Sequence, residues 1–196
     1  GDAQNGTAKR TDEAAALSGA TTFNYDLRLF LDTSFTGKDL FRTMLRAGNF
    51  GNSAFNGSSD NSYVKLDGLE TAFESSAGAN NVAVNRLWYQ FPIGDSFTAT
   101  VGGLVRQDDM LAVWPSAYPA DTVLDFFTYA GAPGAYNLTL GSGGGLIWES
   151  DDFSISANYV SSNGNVSDPN KGGIATDGAG SNGTVQIAYA PENWGI

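Results

Sequence analysis

Apolar and polar residues alternate with a period of two along much of the chain, most clearly between Thr21 and Phe35. There Phe23, Tyr25, Leu27, Leu29 and Leu31 alternate with Asn24, Asp26, Arg28, Phe30 and Asp32. Successive side chains of a β-strand point to opposite faces, so this spacing predicts a strand with one apolar and one largely charged face. A turn at Thr36, Gly37, Lys38 and Asp39 leads to a second strand, where Phe41, Thr43, Leu45 and Ala47 oppose Arg42, Met44, Arg46 and Gly48. Such pairs of patterned runs around a short turn read as hairpins. A second hairpin spans Val82 to Arg106 around Pro92 to Asp95, and a third joins Gly143–Glu149 to Phe153–Ser161 around Ser150 to Asp152. A fourth begins with Val185, Ile187 and Tyr189, turns at Pro191 to Asn193, and breaks off at Ile196.

The connections inside hairpins are short, whereas those between hairpins are long: 51–81, 107–142 and 162–182. Structureless loops beyond about 15 residues are uncommon in compact domains. Short turns at one rim and long loops at the other are what an outer-membrane barrel builds. The expected fold is therefore all-β, an antiparallel up-and-down transmembrane β-barrel of which this chain covers about seven strands. Residues 1–20 are expected as a polar external loop segment with a helical turn over Asp12 to Ala20, and 21–196 as a partial barrel. Leu66 to Glu74 reads as a short strand or helix inside the first long loop.

Aromatic residues flank each short turn on the apolar face: Phe35 and Phe41, Phe91 and Phe97, Trp148 and Phe153, Tyr189 and Trp194. In a membrane barrel these form an interfacial girdle; in a soluble sheet they are the aromatics that strands favour anyway. Parity places Arg28, Arg42, Arg46, Arg86 and Arg106 on the other face, as a basic wall lining a lumen or as solvated charges of a polar sheet face. The loop 107–142 mixes Asp108, Asp109, Asp121 and Asp125 with many apolar residues, among them Met110, Trp114, Phe126 and Phe127. That mixture predicts a segment folded back against the wall, its acids facing the arginines as a constriction; the alternative is an ordinary packed surface loop.

Composition narrows the chemistry. The chain has 196 residues and 41% hydrophobic content, with neither cysteine nor histidine. Without histidine, Ser/His/Asp and Cys/His nucleophile systems and most zinc or haem sites are excluded, so no enzyme activity, cofactor or metal is expected. A formal net charge of −11 argues against nucleic acid as a partner. The apolar runs fall far short of the roughly 20 residues of a spanning helix. Gly1 to Ala20 lacks the apolar core of a signal peptide. Gly141 to Gly145 lacks the lysine of a phosphate loop. Asp168, Asn170 and Asp177 fit no EF-hand spacing, and the acid pairs Asp108–Asp109 and Asp151–Asp152 read as solvated carboxylates.

The stretch DTSFTGKDLFRTMLRAGNF from Asp32 to Phe50, with NRLWYQFPIGD from Asn85 to Asp95, resembles the porins of cyanobacterial outer membranes, a group similar to carbohydrate-selective porins. The resemblance implies a barrel of about 14 to 18 strands, a size at which the lumen admits small solutes. It further implies a homotrimer in the cell outer membrane, in contact with lipid, acting as a passive channel. Ion transport, iron included, and carbohydrate transport belong to the same implication. So does attachment to peptidoglycan through an S-layer homology domain that this chain does not contain. The rival reading is a soluble, secreted β-sandwich that binds carbohydrate, its apolar face packed on a second sheet.

Overall fold

A computed structural model describes residues 19–56, 68–117, 119, 123–129, 136 and 138–191. Its strands are β1 (Asp26–Thr33), β2 (Leu40–Gly48), β3 (Ala83–Ile93), β4 (Phe97–Arg106), β5 (Leu140–Ser150), β6 (Phe153–Ser161) and β7 (Ser181–Tyr189). They form one antiparallel sheet in sequence order, β1-β2-β3-β4-β5-β6-β7. Each strand lies where the period-two pattern places it, and the turns follow local chemistry: Gly37 and Gly94 take positive φ, which a residue without Cβ adopts at no steric cost.

The sheet is not closed by hydrogen bonds, since β1 and β7 stand at opposite ends of the strand order and do not pair. This corrects the transmembrane β-barrel. An unclosed sheet leaves a row of edge N–H and C=O groups, which hydrocarbon cannot satisfy. The porin function, the channel for ions and carbohydrates, the homotrimer, the contact with outer-membrane lipid, the peptidoglycan tether and the outer-membrane location all rested on that barrel, and they are withdrawn with it.

By contact density the chain divides into two compact units, Gly1–Leu29 with Leu45–Ala83 and Tyr118–Gly131, and Phe30–Met44 with Val84–Ala117 and Ala132–Ile196. In the first, an isolated bridge joins Leu69 to Leu124, and Asn24 and Tyr25 are held by Asn49. In the second, β4 to β7 pair over long registers, from Phe97 opposite Trp148 to Phe153 opposite Tyr189. Register shifts between Leu87 and Trp88 and between Gly102 and Val105 mark bulges on β3 and β4. The core of this unit is Trp88, Val105, Met110 and Val160, with Leu40 packed beside it.

That core lies on the polar side of the sheet. A 3-10 turn at Gln107–Met110 packs against β4, β5, β6 and β7 and drives Met110 into full burial. Ser154, Ser156, Asn158 and Gln186 are consequently buried, while Phe97, Val101, Leu146, Ile155, Val185 and Ile187 on the opposite face are exposed. The second sheet that a sandwich would lay over the apolar face is absent among the described residues.

Candidate functional site

Register brings four residues into one row across the exposed face: Tyr89 opposite Val101, Val101 opposite Gly144, and Gly144 opposite Tyr159. Strands lie about 4.8 Å apart, so the two tyrosines stand roughly 14 Å from each other. Between them the floor carries few side chains, because Gly103 and Gly144 present no Cβ beside Val101. The result is a groove of about 710 Å³ walled by Phe41, Leu87, Tyr89, Tyr159 and Ile174. That volume falls within the range of small-ligand sites, about 300 to 1,000 Å³.

Both tyrosine walls are fixed. The Tyr89 hydroxyl donates to Asp39 at 2.7 Å, and the Tyr159 hydroxyl accepts from the Ala175 amide at 2.9 Å. Tyr89 also stacks on Phe91 at 5.3 Å and meets Phe35 edge-on at 6.1 Å, and Phe35 lies 6.2 Å from Phe41. An aromatic platform therefore continues from the groove to the β1–β2 turn. Rings held in place before a ligand arrives lose little further entropy on binding.

Asp39 anchors this end. Its carboxylate accepts from the Thr36 hydroxyl and amide, the Tyr89 and Ser34 hydroxyls and the Phe35 amide. Led by the Thr36 hydroxyl and only partly opposed by desolvation, these donors hold its pKa far below the ordinary carboxylate range. The same bond raises the Tyr89 phenol.

Every arginine predicted for the basic wall has an acid partner. Arg28 bonds Glu70 and Asp26, Arg46 bonds Asp26, Arg42 bonds Asp32, Arg86 bonds Asp109 at 2.5 Å and Arg106 bonds Asp108 at 2.5 Å. Burial works against ionisation of Asp26, yet Arg46 and Arg28 together hold its pKa below normal. At Arg86 and Asp109 burial wins: it lowers the guanidinium and raises the carboxyl despite their contact. Arg42 additionally lies 5.3 Å from the Trp88 ring, and Arg46 4.3 Å from Phe73.

Of the residues predicted for a constriction loop, Asp108 and Asp109 sit in the buried 3-10 turn and cap it through Arg106, whereas Asp125 begins a separate 3-10 turn, Asp125–Tyr129. Asp121 lies outside the described residues. So does Trp194. Among the predicted interface aromatics, Phe35, Phe41 and Phe91 join the platform, Phe153 meets Tyr189 at 4.5 Å, and Phe97 and Trp148 line a smaller apolar groove with Leu146 and Ile155. No group of three or more His, Cys, Asp or Glu side chains among the described residues is placed to hold a metal.

Sequence reasoning missed the groove, the Asp39 cage and the Gln186 clamp, in which the Gln186 amide accepts from Val113 N–H at 3.2 Å and donates to Val113 C=O at 2.8 Å. The run Gly141 to Gly145 was the available signal for the groove, because consecutive glycines on one strand leave a bare strip of sheet.

No protein-family model matches the chain, and no solved structure matches it. It is 31% identical over 178 residues to an uncharacterized protein of Synechocystis, covering 90% of this chain and 31% of that protein. It is 33% identical over 168 residues to an uncharacterized protein of Nostoc, covering 78% of this chain and 28% of the relative. The chain thus spans under a third of the length of these relatives. The cyanobacterial side of the resemblance has counterparts here, but no porin family does, and the assignment to porins is corrected accordingly.

Proposed function

We propose that this chain is a non-catalytic binding module that holds a neutral carbohydrate in the groove between Tyr89 and Tyr159. The observation that carries the reading is the row Tyr89–Val101–Gly144–Tyr159, two hydrogen-bonded tyrosines facing each other across a floor of glycine and valine. A pyranose ring presents apolar C–H faces and a polar rim. Aromatic walls cover the first, and phenol and serine hydroxyls meet the second. Ser142, Tyr89 and Tyr159 place such hydroxyls at the groove. The formal charge of −11 disfavours acidic polysaccharides by repulsion, which leaves neutral ones.

The test is titration of the chain with neutral oligosaccharides (β-glucan, chitin and mannan hexamers) followed by intrinsic fluorescence and calorimetry. Saturable binding is expected, weakened at least about tenfold in Tyr159→Ala, equivalent to about 1.4 kcal/mol. Absence of binding across the panel, or binding that ignores Tyr159, would remove the proposal.

A further inference from the structure

We propose that Asn163–Gly164 is a modification site: spontaneous deamidation of Asn163 unlatches the loop 162–180 and frees the Tyr159–Ile174 wall of the groove. Asn163 is the hub of that loop. Its side-chain amide donates to the Lys171 carbonyl at 2.7 Å and to the Gly178 carbonyl at 3.0 Å. Its side-chain oxygen accepts from the Gly180 amide at 2.7 Å and from the Ser161 hydroxyl at 3.1 Å. Two donors and two acceptor positions are all that a carboxamide has, so the side chain is fully used. The backbone carbonyl of Asn163 accepts two further bonds, from the Val166 and Gly173 amides.

The groove depends on what this hub holds. Gly173 is followed by Ile174, which lines the groove, and by Ala175, whose amide donates to the Tyr159 hydroxyl at 2.9 Å. Gly164 supports the same wall from behind. A Cβ there would lie 2.8 Å from Ile174 Cδ1 and 2.8 Å from the Cβ of Ser142, another groove residue. The Ser142 Cβ is fixed by its strand and cannot give way, so packing requires glycine directly after the hub asparagine.

That requirement carries a chemical liability, because a glycine has no Cβ to hinder its backbone nitrogen from attacking the preceding side-chain carbonyl. At Asn163 the new bond joins Gly164 N to Cγ, and the Gly164 proton and the side-chain nitrogen leave as ammonia. Water, the sole co-reactant, then opens the cyclic imide to aspartate or isoaspartate. In the closed loop Gly164 N–H donates to the Ser161 carbonyl at 3.2 Å and four bonds hold the side chain, so the reaction proceeds from the opened loop. It is also one-way. A carboxylate has no N–H for the Lys171 and Gly178 carbonyls and sets negative charge against both, so the latch does not re-form. Asn182–Gly183 is the internal control: it lies in β7, where pairing of Asn182 with Val160 and of Gly183 with Tyr159 holds the backbone extended.

Asn163→Asp installs the product directly. Its Ala175 amide is expected to exchange at least about tenfold faster than in the wild type, with the Ile174 methyl and Tyr159 ring signals shifted, while Val105 and Val160 in the core keep theirs. Wild-type protein aged in mildly alkaline buffer reads the same change in a chain already folded: it should acquire these signals, and peptide mapping should find the acid at Asn163 ahead of Asn182. An unchanged Ala175 exchange rate in Asn163→Asp, or deamidation at Asn182 outpacing Asn163, overturns the latch. The consequence for ligand binding rests on the carbohydrate reading above, and oligosaccharide titration separates the two. Binding lost in Tyr159→Ala yet unaltered in Asn163→Asp overturns the latch and leaves that reading standing. A wild type that binds no oligosaccharide overturns the carbohydrate reading, with the latch still decided by exchange and mapping.

Discussion

On β6 the even-numbered Ser154, Ser156 and Asn158 are buried, while the odd-numbered Phe153 and Ile155 are exposed. The same inversion holds on β7, where Gln186 is covered and Val185 and Ile187 are bare. Hydrophobicity alone would bury the opposite set. What decides burial here is coverage: the segment around Gln107–Met110 lies on the polar face, and no described strand lays a second sheet on the apolar one. The polar face is a place where side chains satisfy each other. The apolar face is where the molecule has surface left to offer, and contiguous exposed apolar surface marks a binding region.

The strongest way to break this comparison is to unpair the covered face. Arg86→Met leaves the Asp109 carboxylate desolvated without its guanidinium, and loss of one partner of a buried pair costs about 3 to 5 kcal/mol. Denaturant unfolding should register that loss. Gln186→Leu keeps the side-chain volume but strands the N–H and C=O of Val113, for about 1 to 3 kcal/mol and faster amide exchange at Val113.

Acidification should weaken the fold in a defined window. Asp26 and Asp39 have folded pKa values below normal, so their stabilisation is fully present above about pH 4 and lost as pH falls from there through the lowered folded values. Asp109 runs the other way: burial raises it, so protonation favours the folded state and partly offsets the loss. Melting temperature is expected to drop below about pH 4, and to drop less steeply in Asp26→Asn. The smallest stability effect belongs to the bare face. A Cβ at Gly103 would meet nothing within 4 Å, so Gly103→Phe should move stability by no more than about 0.5 kcal/mol while filling the groove.

The strands and most of the division of faces were legible in the sequence, because period two is written residue by residue; the register shift between Gly102 and Val105, which turns Val105 from the expected apolar face into the covered core, was not. The expected membership of these seven strands in a larger barrel was an error of extrapolation, since the patterning of each strand encodes its two faces and not the pairing of distant strands. The neutralisation of the five arginines by Asp26, Asp32, Glu70, Asp108 and Asp109 was hidden: Glu70 and Arg28 are far apart along the chain and meet only in the fold. The aromatic platform was half visible, as residues beside turns. Its extension to Tyr89 and Tyr159 needed the register that aligns four strands in one row.

The central claim is that function resides on the bare face, between Tyr89 and Tyr159. Backbone chemical shifts recorded during titration with the oligosaccharide that binds most tightly test it directly. The account predicts perturbations at Leu87–Tyr89, Val101–Gly103, Ser142–Gly144, Tyr159 and Ile174, all lost in Gly103→Phe. Perturbations confined to the covered face around Arg86, Asp109 and Gln186, or undiminished binding by Gly103→Phe, would contradict it.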